Sequence, residues 1–170
     1  MALTVVQSGV GGTGTTNLTY PSTGGTVMVS GNMPAFSAYK NGDQSISSGT
    51  LTKVTYSDEE YDTNNNFASS RFTPTVAGYY QISAATDCAA TALTRSLTVI
   101  YKNGSPYRYC GLWVLAASSE ITSNVSSLVY CNGTTDYIEI YAMINGTSPT
   151  IYSSASPAIT WFCGSLVRTA

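Results

Sequence analysis

Four Asn-Gly dipeptides, at 41–42, 103–104, 132–133 and 145–146, punctuate the folded part of this chain. Asn-Gly tolerates positive φ at both central positions of a tight turn, so each pair marks a hairpin or a strand end. Between the marks lie short apolar segments with a period of two, not 3.6. Leu51–Tyr56 alternates, and so does Tyr79–Thr86, where Tyr80, Ile82 and Ala84 share one face and Tyr79, Gln81 and Ser83 the other. Ala35–Tyr39, Phe67–Phe72, Ser96–Tyr101, Tyr107–Leu115, Asn124–Tyr130, Tyr137–Ile144 and Thr160–Val167 complete the set. Such alternation reads as half-buried antiparallel strands. Nine or so strands and no amphipathic helix predict an all-β sandwich or barrel.

Composition narrows what such a fold can do. Only 9% of the 170 residues are charged, against roughly a quarter in ordinary globular proteins. Thirteen tyrosines and abundant Ser, Thr, Asn and Gly fill the gap, so the chain is polar without being charged and a large buried fraction is expected. A net charge of −2 gives no basic footprint for nucleic acid. No apolar run is long enough to span a membrane as a helix. Histidine is absent, which excludes a Ser-His-Asp triad and a Cys-His metal site. Cys88, Cys110, Cys131 and Cys163 are widely spaced and are expected as buried free thiols in strands.

Residues 1–32 differ from the rest. They are Gly/Thr-rich and carry no Lys or Arg, the first being Lys40. The start, Met1–Ser8, has no basic n-region and is not expected to be a signal peptide. Gly11, Gly12 and Gly14 resemble a phosphate loop only superficially, since the Lys-Ser/Thr pair and the following helix are missing. The segment reads as an extended arm that needs neighbours to bury it, and residues 33–170 as the folded domain.

The last strand carries bulky apolar groups on both faces. Phe162, Gly164 and Leu166 share one side; Trp161, Cys163, Ser165 and Val167 share the other. A two-layer sandwich buries only one face of each sheet, so this sheet is expected to pack against further copies. Phe36, Tyr79, Trp161, Cys163 and Val167 are the expected contact residues. A second candidate surface is the strand holding Tyr107, Arg108, Tyr109 and Trp113, whose rings suit a sugar or protein surface. Catalysis is not expected. Asp58, Glu59, Glu60 and Asp62 form an acidic loop without EF-hand spacing, and Asp136 and Glu139 fall on opposite strand faces.

The order of several short motifs resembles a C1q-like (TNF-superfold) domain over residues 33–170. They are Pro34–Ala38, Lys53–Tyr56, Phe67, Phe72 followed by Ala77-Gly78, Tyr80 and Ile82, Lys102–Gly104, Asp136–Ile140 and Phe162–Val167. The family's Gly before the acidic strand opening is Thr135 here. The resemblance implies a ten-stranded jelly-roll sandwich that assembles as a homotrimer, its first and last strands near the threefold axis. Gly11–Leu18 is similar to bacteriophage tail-fibre segments that precede a C-terminal trimeric knob. Together they imply a virion protein: a tail-fibre tip recognising a host-surface glycan or protein, or alternatively a capsid decoration trimer. In both cases the arm holds other virion proteins. No cofactor is implied, and a Ca²⁺ ion on the threefold axis is left open.

Overall fold

A computed structural model describes residues 33–170, apart from the side chains of 115–118. The arm, with Gly11, Gly12 and Gly14, and the boundary at 32 lie outside the described residues. Ten strands make up the described chain: β1 (Ala35–Tyr39), β2 (Gln44–Ser45), β3 (Thr52–Lys53), β4 (Asp58–Asp62), β5 (Phe67–Ala68), β6 (Arg71–Phe72), β7 (Gly78–Lys102), β8 (Ser105–Cys131), β9 (Ile138–Tyr152) and β10 (Trp161–Thr169).

The long hairpin of β7 and β8 organises the rest. Its tip is Asn103-Gly104, both at positive φ (52° and 77°), the conformation a two-residue hairpin turn demands. The Asn103 side chain fastens this tip, accepting from the Tyr137 N–H at 2.9 Å and donating to Asp136 at 2.7 Å. Four segments that the alternation separates are therefore two strands. Tyr79–Thr86 and Ser96–Tyr101 both lie in β7; Tyr107–Leu115 and Asn124–Tyr130 both lie in β8. The join in β7 is irregular between Ala89 and Arg95, where the pairing register shifts and Ala92 takes φ 54°.

These strands pass between two layers. From Gly78 to Ala85, β7 lies between β10 and the second half of β8; from Asp87 to Lys102 its other neighbour is β9. One layer is thus β4-β1-β10-β7-β8, and the other holds β5, β6 and β9 with the second half of β7 and the first half of β8. β2 and β3 pair with β9.

Aromatic rings and branched aliphatics fill the space between. Phe36 stacks on Phe72 at 4.3 Å and on Phe67 at 5.0 Å, and meets Phe162 edge-on at 4.7 Å. Ile82, Ile100, Ile138, Ile140, Ile144 and Ile151 are fully buried beside them. Each such side chain contributes about 1.5–3 kcal/mol by leaving water. Tyr80 enters the same core while its hydroxyl donates to the Val76 carbonyl at 2.7 Å.

Three further sequence expectations change. Phe36 is not a contact residue between copies: it pairs with Gly164, shares the inward face with Phe162 and is 0% exposed. The acidic run 58–62 is strand β4 against β1, not a loop, because Tyr39, Ala38, Ser37 and Phe36 offer it a backbone edge. Asn145-Gly146 does not turn; it lies inside β9, where Asn145 pairs with Arg95.

Candidate functional site: two outward sheet faces

The outward face of the first layer is built by strand parity. Register places Tyr61, Ser37, Cys163, Ser83 and Ser126 in one row. Tyr39, Trp161, Ala85 and Asn124 form a second, and Ala35, Ser165, Gln81 and Leu128 a third. Tyr79 and Tyr130 are opposite one another, ring centroids 5.4 Å apart, near the bulge that turns out Val167. Leu128 is 49% and Val167 57% exposed. The centre is uncharged: Gln81 donates to the Ser126 hydroxyl at 2.7 Å, and the Ser83 and Ser126 hydroxyls bond at 2.8 Å. Charges stand at the margins: Arg168 pairs with Tyr79 at one end, and carboxylates lie at the others. The Ser37 hydroxyl donates to Glu60 at 2.6 Å, and at the far end the Thr122 hydroxyl donates to Asp87 at 2.8 Å. Tyr79, Trp161, Cys163 and Val167 thus occupy one surface. Burial, then the Glu60 charge, pushes the Cys163 thiol up, away from thiolate character. All four cysteines are free thiols.

The outward face of the second layer is more apolar than the sequence reading anticipates. Leu97, Val99, Tyr101 and Met143 form a second small cluster there, with Tyr141 packed against it. Tyr101 and Tyr141 stack at 3.8 Å. Tyr109 and Trp113 stand above this floor, each 71% exposed. The Arg95 guanidinium lies over the Trp113 ring at 4.4 Å. Along β9, Glu139 accepts from Lys53 at 2.7 Å and Arg71 at 2.8 Å, and Arg71 covers the Tyr137 ring at 3.9 Å. Burial pushes the Glu139 carboxyl up, but the Lys53 and Arg71 hydrogen bonds and charges outweigh it and hold it below its usual range.

The four residues proposed for recognition separate. Tyr109 and Trp113 share this face, whereas Tyr107 packs against the main core and carries Arg108 on its ring at 4.5 Å. The sequence reading does not single out Arg95, Leu97 or Val99. The signal was present in Ser96–Tyr101, where Leu97, Val99 and Tyr101 are bulky on the parity opposite Ile100. Among the described residues no three His, Cys, Asp or Glu side chains converge on a common point.

No protein-family model matches the chain, and no curated protein matches it. Solved structures do. The globular domain of zebrafish complement 1qA aligns over 81% of this chain and 98% of its own, with TM-score 0.60 and 16% identity. Murine APRIL at pH 5.0 aligns over 79% and 99%, with TM-score 0.60 and 10% identity. The fold is the C1q/TNF-like jelly roll. Within this jelly roll the layer holding β1 and β10 carries the outward face with the uncharged centre, and the aromatic and cationic face belongs to the opposite layer.

Proposed function

We propose that the chain is a homotrimeric bacteriophage virion protein, a tail-fibre tip whose folded domain recognises the host surface. One observation carries the assembly: the outward face of the β4-β1-β10-β7-β8 layer is uncharged at its centre and exposes Tyr79, Leu128, Tyr130 and Val167 together. Exposed apolar side chains grouped on one sheet face are a feature of interaction sites. A second and third copy cover it when the β10 side of each domain turns toward a common axis, as the C1q-like resemblance implies. The aromatic face of the opposite layer then remains outside for recognition, a binding role without catalysis. The virion reading draws on Gly11–Leu18 and its similarity to tail-fibre segments, with the arm as the joint to other virion proteins.

The test is electron microscopy of virions labelled with an antibody raised against residues 33–170, together with adsorption in the presence of purified protein. Label at fibre tips and blocked adsorption support this function. Label across the capsid shell would assign the chain to capsid decoration instead. Unlabelled virions would overturn the virion reading altogether.

A further inference from the structure

The second-layer face holds a slot. Tyr109 and Trp113 project from the same face of β8, about 13 Å apart at four residues of strand rise. Gly111 lies between them and has no side chain; a Cβ there would meet Leu97 Cδ2 at 2.3 Å. Two exposed rings therefore flank a gap floored by Leu97, with Val99 and Met143 beside it. Flat, rigid aromatic walls over an apolar floor suit the C–H faces of sugar rings, and they lose little side-chain entropy on binding.

The charge at this slot selects among sugars. Arg95 closes its Trp113 end, where Asn145 and Trp113 pair with it on either side. Among the described residues Arg95 has no carboxylate partner, and its Nε and the Asn145 Oδ1 are buried without a hydrogen bond. Such groups are normally satisfied. Across the same face Lys53, Arg71 and Arg95 oppose one carboxylate, Glu139, leaving local charge +2 on a chain of net charge −2. A guanidinium already placed over an indole, with no carboxylate of its own among the described residues, offers two parallel hydrogen bonds to an incoming carboxylate.

From this juxtaposition we propose that Tyr109, Trp113 and Arg95 form a binding site for acidic glycans, with sugar rings on the aromatic walls and a sugar carboxylate on Arg95. The proposal rests on the surface-recognition reading and names the ligand class. It is tested with the full chain on an immobilised array of uronic-acid, sialic-acid and pyruvylated glycans, each beside a neutral counterpart, and on intact host cells.

Binding to acidic glycans above their neutral counterparts is expected. Trp113→Ala, at an exposed position, should abolish it, and Arg95→Gln should weaken it roughly 10-fold to 100-fold, as loss of a charge-assisted pair does. Urea midpoints of both variants separate lost binding from lost folding. Cell binding with no preference for acidic glycans would overturn this site while leaving host recognition standing. Cell binding that survives removal of surface glycans would do the same and point to a protein receptor. No cell binding at all would remove the recognition reading with it.

Discussion

Phe36 illustrates how one residue's role follows from its register. Opposite Gly164 it faces inward and stacks on two phenylalanines. Phe36→Ala should cost about 3–5 kcal/mol, the range for emptying a packed aromatic site, read as a lower urea midpoint. A variant with unchanged stability but altered mass would return Phe36 to the surface. Glu139 and Asp136 make a second residue-scale prediction. Burial raises both carboxyls, but hydrogen bonds from Lys53 and Arg71 to Glu139, and from Asn103, Lys102 and the Asn132 backbone to Asp136, leave both below their usual range. A depressed carboxylate contributes stability that is complete above its unfolded pKa and is lost as pH falls through the folded one. The urea midpoint should therefore fall from about pH 5 downward. Glu139→Gln should lower stability at neutral pH and flatten that acid limb. An acid limb as steep in the variant as in the parent would show that Glu139 is not part of it.

At the scale of elements, the β7–β8 hairpin and its neighbours decide the fold. Gly78 opens β7 so close to β10 that a Cβ would sit 2.4 Å from the Arg168 carbonyl oxygen. Gly78→Ala must push β10 away, at about 1–3 kcal/mol for overpacking, and thermal unfolding would show it. An unchanged melting temperature would mean that β10 is not held there. The same strands show what the sequence could reveal. Alternation of Tyr80, Ile82 and Ala84 marks their inward face, and Asn103-Gly104 marks the hairpin tip, because both signals are local. The joins are not local. Ala89-Ala90-Thr91-Ala92 has no alternation, yet β9 pairs with Thr91 and β8 resumes at Leu93, so the strand continues across it. Asn145-Gly146 permits a turn without compelling one, and pairing with β7 keeps it extended. On the aromatic face, Tyr109 and Trp113 were legible as exposed rings, but Arg95 reaches Trp113 only through a cross-strand register.

On the scale of the molecule, the two outward faces differ in chemistry. The face around β10 has Cys163, Ser165, Gln81 and Leu128 at its centre, with charge only toward its edges, at Glu60, Asp87 and Arg168. The opposite face carries cations beside exposed rings. If the first is buried between copies, aspartates placed on it should separate the copies without unfolding them, since Leu128 and Val167 are exposed in the single domain. The most direct measurement is light scattering on the full chain at micromolar concentration without added metal, beside the Leu128→Asp, Val167→Asp double variant. A homotrimer gives the mass of three 17.9 kDa chains for the parent, and of one chain for a variant with an unchanged circular dichroism spectrum. A parent that elutes and scatters as a stable single chain would contradict assembly through this face.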